Sequence, residues 1–153
     1  MPRLVLVHPQ IPPNTGNIAR TCAATGTELH LVGPLGFELS DRYLKRAGLD
    51  YWPHVNLHYH IDLPAFAIAR QQIGGRAIGF SVSGRLNYIQ YQYRDDDWLL
   101  FGSETEGLPS EVLEACDATV YIPMNQTNVR SLNLSVSAAV GLFEARRQLG
   151  YLG

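Results

Sequence analysis

The sequence predicts an α/β domain with a mostly parallel sheet and helices on both faces. Short runs of apolar and β-branched residues alternate with segments of helical periodicity, which is the pattern of repeated β-α-β units. Runs such as residues 97–102 are apolar through their middle, as is typical of strands covered on both faces. The 153 residues, 46% of them hydrophobic, suffice for one core, so we expect a single domain over residues 1–153.

Strands and helices alternate along the whole chain. Six segments are predicted as strands, namely residues 3–8, 28–33, 54–61, 76–82, 97–102 and 118–123. Five segments are predicted as helices, namely residues 15–25, 40–48, 63–72, 110–116 and 132–149. Asn14, Ser40 and Ser110 are the expected N-caps, and Gly26 is the expected left-handed residue after the first helix.

The last predicted helix has two apolar stripes. The two sets are Leu132, Val136, Val140 and Phe143, and Leu134, Ala138, Leu142 and Ala145. We therefore expect this helix to be covered on two sides.

The composition excludes several classes of protein. The net charge of −2 argues against binding nucleic acid through overall positive charge, so an RNA partner would need a local basic patch. Cys22 and Cys116 lie far apart with no Cys or His at ligand spacing, which predicts core residues rather than a disulfide or a zinc site. No signal-peptide core is present and no apolar run approaches the roughly 18 residues of a membrane span, so a cytoplasmic location is expected.

The three most unusual polar segments all follow predicted strands. They are PPNTGNIAR after the first strand, GSETEGLP after DWLLF, and MNQTNVRSLNLS after ATVYIP. Because the carboxyl ends of parallel strands meet at one edge of a sheet, these loops are the expected place of a site. Their glycines and helix-start N–H groups suit a polar or anionic ligand.

The first two loops also have simpler interpretations. GSETEG lacks the Lys of a phosphate loop, and Glu104 and Glu106 would repel phosphates, so these acids either accept hydrogen bonds from a ligand or lie in a solvated turn. Asn14 is more often only a helix cap. Arg20, among small neighbours, would be a phosphate clamp or an ion-pair partner.

The third loop carries more polar side chains than a helix start requires. Ser131 and Asn133 could cap the last helix, whereas Asn125, Gln126 and Asn128 exceed what capping requires and favour a ligand.

Two other groups of residues have open interpretations. His54, His58 and His60 share one face of a predicted strand, so a metal site is geometrically possible, although a solvated polar face is the commoner arrangement. A set of aromatic residues near Arg85 and Arg94 could stack RNA bases or pack in the core and at a sheet edge. These are Tyr88, Tyr91, Tyr93 and Trp98.

The polar loops resemble, in order, the three sequence motifs of the SPOUT superfamily of RNA methyltransferases. NTGNIAR, GSETEGLP, and IPM followed by SLNLSVSAAV carry the resemblance, which extends over nearly the whole chain. Within the superfamily, IPPNTGNIAR and RAGLDYW in a short chain are similar to bacterial tRNA (cytidine/uridine-34)-2'-O-methyltransferases of the TrmL type. The resemblance implies a deep trefoil knot in the carboxyl-terminal half, S-adenosylmethionine as methyl donor and the tRNA anticodon loop as substrate. It also implies an obligate homodimer with the active site across the interface, and no metal.

The resemblance assigns roles to individual residues. The polar set around the reacting ribose is Asn14, Arg20, Glu104 and Asn133. The cofactor contacts are Phe80, Gly102, Ile122, Ser131 and Leu132, with Phe80 standing where an aliphatic residue is expected.

Arg20 has two possible roles in this chemistry. Within the family the Arg is given the role of catalytic base. A guanidinium seldom gives up its proton, so Arg20 could instead bind the adjacent phosphate and stabilise the developing alkoxide. Two other functions stay open: 2'-O-methylation of another RNA such as rRNA, and a non-catalytic RNA-binding or nucleotide-binding module.

Overall fold

Residues 1–40, 42 and 51–153 are described by the computed structural model, and their strands form one sheet of seven. The predicted helix over residues 40–48 lies outside the described residues, apart from Ser40 and Arg42.

Every strand pairing in the sheet is parallel, which confirms the predicted sheet type. The strands are β1 Arg3–Val7, β2 Leu29–Val32, β3 Leu57–His60, β4 Ala77–Phe80, β5 Leu86–Asn87, β6 Trp98–Phe101 and β7 Ala118–Tyr121. Their order across the sheet is β3-β2-β1-β6-β4-β7-β5. The two residues of β5 were not predicted as a strand, because so short a pairing leaves no periodicity in the sequence.

The described helices pack on both faces of this sheet. They are α1 Pro12–Thr25, α2 Leu63–Ile73, α3 Ser110–Ala115 and α4 Leu134–Gln148. Alternate residues of a strand point to opposite faces, so Leu4 and Leu6 of β1 join the core under α1 and α4. Val5 and Val7 join the second core with α2 and α3. Among the described residues, none of the helices has the length and apolar character to cross a membrane.

Two of the predicted helix caps are wrong. Helix α1 begins at Pro12 with Ile11 as its N-cap, because the fixed φ of proline fits the first helical turn. Asn14 therefore lies inside the helix, and its side chain forms hydrogen bonds with Glu104 and Asn133. The N-cap of α3 is Pro109, with Ser110 as its first helical residue.

Two other cap predictions are confirmed. Gly26 ends α1 in the left-handed conformation with φ 68°. Asn133 caps α4, where its side chain accepts a hydrogen bond from the backbone N–H of Ser135.

The two stripes of the last helix have different environments. Leu134, Ala138, Leu142 and Ala145 are buried against the sheet. On the other stripe, Val136 and Phe143 are 46% and 41% exposed. Cover on one side is thus confirmed, and the second stripe forms part of the surface of this chain.

The three predicted strand histidines do not share a strand. His54 lies in a 3-10 turn, Trp52–His54, while His58 and His60 belong to β3. His60 Nε2 lies 2.9 Å from Nδ1 of His30, a buried residue of β2. Burial and the neighbouring His58 and His60 lower the pKa of His30 to about 3, so its ring is neutral at pH 7.

Candidate active site

A cavity of about 470 Å³ opens at the carboxyl ends of β4, β6 and β7. Its lining comes mainly from the loops that follow these three strands and from the first turn of α4. All five residues predicted to contact a cofactor line it: Phe80, Gly102, Ile122, Ser131 and Leu132. The largest group of predicted site residues thus lies together at the edge of the sheet where a site was expected.

The back of the cavity is a pair of stacked rings. The ring centroids of Phe80 and Phe101 lie 4.4 Å apart. Helix α4 approaches these rings closely at Gly141, where an added Cβ would lie 2.7 Å from a ring carbon of Phe80. The absence of a side chain at Gly141 therefore lets α4 seat against the rings and fix one wall.

The loop after β6 folds back on itself along the cavity. Ser103 and Gly107 exchange backbone hydrogen bonds of 3.3 and 3.1 Å, and Gly107 has φ 69°. A Cβ on Gly102 would overlap the backbone of Gly107. Glycine at 102 is required by this close approach of two backbone segments.

Glu104, in the same loop, binds the start of helix α1. Its Oε1 accepts a hydrogen bond from the backbone N–H of Gln10 at 2.9 Å, and its Oε2 accepts from that of Ile11 at 2.8 Å. The side-chain amide of Asn14 also donates to Oε2, at 3.2 Å. The carboxylate thus receives three N–H groups where a helix start leaves donors unpaired and favours negative charge. It accepts hydrogen bonds as one interpretation predicted, but from the protein itself.

Asn14 and Asn133 extend this connection to helix α4. Asn133 Nδ2 donates to Asn14 Oδ1 at 3.1 Å, and Asn133 Oδ1 accepts from the backbone N–H of Ser135 at 2.9 Å. Asn14 is only 8% exposed. One chain of hydrogen bonds therefore joins the loops after β1, β6 and β7, which are the three loops singled out in the sequence.

Arg20, the fourth residue of the predicted catalytic set, lies apart from this chain. It is exposed on α1, and its guanidinium carbon lies 5.1 Å from the ring centroid of Tyr51. Within the described part of the chain, Arg20 has no ion-pair partner and does not line the cavity. Its charged group is available at the surface.

Three polar residues of the loop after β7 do not line the cavity. Asn125, Gln126 and Asn128 are exposed, and Gln126 Oε1 accepts a hydrogen bond from the backbone N–H of Asn128 at 3.4 Å. They are therefore not part of this cavity, and their role in binding a ligand stays a prediction.

Sequence reasoning missed several residues of the cavity. The most informative are Ser81 and Ser83 after β4, and Met124 and Arg130 in the loop after β7. Arg130 brings a positive charge, with its Nε donating to the carbonyl of Thr127 at 3.3 Å. Only their position after a parallel strand could have pointed to Ser81 and Ser83, since such positions are the usual place of a site.

The aromatic set predicted as a possible base-stacking surface is mostly core. Tyr91, Tyr93 and Trp98 are buried, and the hydroxyl of Tyr93 donates to the carbonyl of Tyr88 at 2.8 Å. The packing interpretation is therefore correct for these three. Cys22 is likewise a core residue, and burial raises the pKa of its thiol to about 12.

The comparisons with known proteins agree on one family. Residues 1–143 match the SpoU rRNA Methylase family. A protein of Synechocystis sp. is 63% identical over 153 residues, which is 100% of both chains, and is provisionally named tRNA (cytidine(34)-2'-O)-methyltransferase. A solved structure reported as giving insights into the 2-OH methylation of C/U34 on tRNA superposes with TM-score 0.93. It has 51% identity and covers 99% of this chain and 97% of its own.

An rRNA methyltransferase of Sinorhizobium meliloti, solved with AdoMet bound, superposes with TM-score 0.88 and 27% identity. The match covers 97% of this chain and 56% of that one. Together with the family match over residues 1–143, these similarities mean that the chain belongs to the SpoU rRNA methylase family.

Proposed function

We propose that this protein transfers a methyl group from S-adenosylmethionine to the ribose 2'-hydroxyl of the wobble nucleotide, cytidine or uridine 34, of tRNA. The observation that carries the proposal is the hydrogen-bonded convergence of Glu104, Asn14 and Asn133 at the cavity edge. The names of the relatives supply the wobble position and the reaction.

The residues present fit the cofactor. A cavity of about 470 Å³ is within the roughly 300–1,000 Å³ usual for small-molecule sites. Apolar side chains of Phe80, Ile122 and Leu132 suit the adenine ring, while the glycine at 102 and the hydroxyl of Ser131 leave polar groups for the rest of the molecule. When bound, S-adenosylmethionine supplies a methyl group activated by a sulfonium charge.

In the proposed mechanism, Glu104, Asn14 and Asn133 act mainly by holding the three loops in fixed positions relative to one another. Each of these side chains is already hydrogen-bonded to another loop or helix start, so its polar atoms are largely occupied. Geometry held in advance lowers the barrier because little reorganisation accompanies the reaction. A guanidinium is suited to the other need, which is to stabilise the negative charge that develops on the ribose 2'-oxygen. We assign this role, and contact with the neighbouring phosphate, to Arg20.

We further propose that the site is completed in a homodimer. The exposed stripe of α4, with Val136 and Phe143, is an apolar surface that a second copy would cover. Helix α1 packs beside α4, and Arg20 is on its exposed side. A twofold contact through these helices would therefore bring Arg20 of one protomer towards the cavity of its partner.

The proposed fold includes the trefoil knot and a single domain over residues 1–153. In support of the knot, the late strand β7 is inserted between β4 and β5, both of which precede it in the chain. Pulling the two termini apart with optical tweezers tests this. A knotted chain should extend to less than the roughly 3.3–3.6 Å per residue of an unknotted one, and extension to the full contour would refute the knot.

Methylation of defined substrates tests the activity. The protein is incubated with radiolabelled S-adenosylmethionine and total tRNA, and the nucleosides of the product are identified by mass spectrometry. We expect one 2'-O-methylated nucleoside, located at position 34 by digestion of a single tRNA species. Incorporation only into rRNA would refute the tRNA assignment, and incorporation into no RNA would favour a binding module. Cell fractionation would test the cytoplasmic location proposed with this substrate.

A mixing experiment tests the composite site. Arg20→Ala should retain cofactor binding by calorimetry and lose turnover, whereas Ser81→Trp should fill the cavity and lose cofactor binding. If Arg20 acts across the interface, co-refolding equal amounts of the two inactive variants should restore about a quarter of wild-type activity. Half of the dimers are then hybrids, each with one intact site of two. Activity that stays at the level of the separate variants would refute the composite site.

A further inference from the structure

We propose that Glu28, His30 and His58 bind a divalent transition-metal ion, with Zn²⁺ the best match, towards the amino-terminal ends of β2 and β3. The cavity lies at the carboxyl ends of other strands, so this site is separate from the proposed methyl-transfer chemistry.

One carboxylate oxygen and two imidazole nitrogens converge at this place. Glu28 Oε1 lies 3.2 Å from His58 Nε2 and 3.7 Å from His30 Nε2, and all three atoms lie within 4.8 Å of one another. The sheet creates this arrangement, because His30 and His58 are register partners on adjacent parallel strands. Their rings consequently stack side by side, with centroids 4.5 Å apart.

Both nitrogens are buried without a hydrogen-bond partner. His30 Nε2 and His58 Nε2 belong to the small set of such atoms in the described chain, and the side chain of His30 is only 2% exposed. An unsatisfied buried nitrogen loses its hydration without compensation, so native proteins normally supply a partner. A metal ion beside Glu28 would be a common partner for both.

The neighbouring residues match the surroundings of known metal ligands. Histidine ligands usually hydrogen-bond through their other ring nitrogen, and carboxylate ligands are also held by a hydrogen bond. Here His30 Nδ1 lies 2.9 Å from His60 Nε2, and Glu28 Oε2 accepts from Arg3 Nε at 3.2 Å. These contacts leave His30 Nε2 and Glu28 Oε1 as the ligand atoms.

The spacing of the ligand atoms favours tetrahedral Zn²⁺. Bonds of about 2.0–2.1 Å place neighbouring tetrahedral ligands roughly 3.3 Å apart, close to the 3.2 and 3.7 Å observed from Glu28 Oε1. The two rings are nearly parallel, at 10°, so His58 must tilt for both nitrogens to face the ion. The side chain of His58 is 42% exposed and has room to do so. A bound ion would tie the edge strand β3 to β2.

Metal titration of the intact, chelator-treated protein tests the site. We expect one equivalent of Zn²⁺ by calorimetry, and Co²⁺ should give the visible absorption of four-coordinate cobalt with histidine ligands. His58→Gln and Glu28→Gln should each weaken Zn²⁺ binding by at least about tenfold. His54→Gln is the matched control, since this histidine lies in the 3-10 turn outside the cluster, and it should leave the affinity unchanged.

Two results would overturn the proposal. Absence of stoichiometric Zn²⁺ binding by the folded wild-type protein would remove the site. Equal affinity in wild type, His58→Gln and Glu28→Gln would place any bound ion elsewhere. Circular dichroism establishes that each variant is folded. If His58→Gln does not fold, the Zn²⁺ affinity of Glu28→Gln decides the test, since the side chain of Glu28 is partly exposed.

Discussion

Removing the carboxylate of Glu104 should loosen the connection between the three loops. Glu104→Ala deletes three hydrogen bonds to an ionised group, two from backbone N–H groups and one from Asn14. Hydrogen bonds to charged groups contribute roughly 1.5–3 kcal/mol each, and solvent-exposed ones contribute less. Gln10 and Ile11 are exposed and can be hydrated in the variant, while Asn14 is buried and loses its acceptor. We therefore expect a loss of about 3 kcal/mol in the free energy of unfolding, or roughly 6–12 °C in Tm for a chain of this size.

The assay is chemical denaturation at neutral pH, followed by circular dichroism, with Glu106→Ala as control. Glu106 lies in the same loop and its exposed side chain has no partner among the described residues, so its removal should change stability by less than about 0.5 kcal/mol. The same Glu104 variant should lose turnover, because Asn14 and Asn133 lose their fixed positions. Equal unfolding midpoints for the Glu104→Ala and Glu106→Ala variants would refute the proposed connection.

Three further predictions concern α4. Gly141→Ala places a methyl group against the ring of Phe80, so it should cost about 1–3 kcal/mol and weaken cofactor binding in calorimetry; unchanged affinity would contradict the packing argument. Val136→Glu adds a charge to the exposed stripe and should yield a folded, inactive monomer by light scattering, whereas an intact dimer would locate the interface elsewhere. Arg147 lowers the pKa of Glu144, so the stabilisation from this carboxylate is complete above the ordinary value of 4.5 and is lost as pH falls through the lowered pKa. The difference in Tm between wild type and Glu144→Gln should therefore shrink on acidification below that value, and a constant difference would contradict this assignment.

Strands β1, β4 and β6 were predictable because burial on both faces leaves a nearly unbroken apolar run in the sequence. The order of the strands was not predictable in the same way. Strand β6 lies between β1 and β4, and this pairing joins residues such as Leu4 and Leu99 that are far apart in the chain. No local pattern records which distant strand is the neighbour.

Errors at helix starts have a related cause. Asparagine is a residue type that favours N-caps, but the helix already begins at Pro12. The side chain of Asn14 instead forms hydrogen bonds with Glu104 and Asn133. The preference of asparagine for N-caps was thus outweighed by the preference of proline for the first helical turn. Polarity and position predicted the loops of the candidate site, whereas the individual cofactor residues came from resemblance to the family. The missed Ser81 and Ser83 lie in a loop whose sequence has no unusual polarity.

The contrast between Arg20 and the other three residues of the predicted catalytic set has a mechanistic consequence. Glu104, Asn14 and Asn133 donate to or accept from one another and from two helix starts, so a substrate would have to displace existing bonds to engage them fully. In the described chain the guanidinium of Arg20 contacts only the ring of Tyr51, so its donors would be open to the phosphate or ribose oxygen proposed for it. Loss of the three linked residues should accordingly lower both stability and turnover, whereas loss of Arg20 should lower turnover alone. A marked fall in Tm for Arg20→Ala, equal to that for Glu104→Ala, would contradict this division.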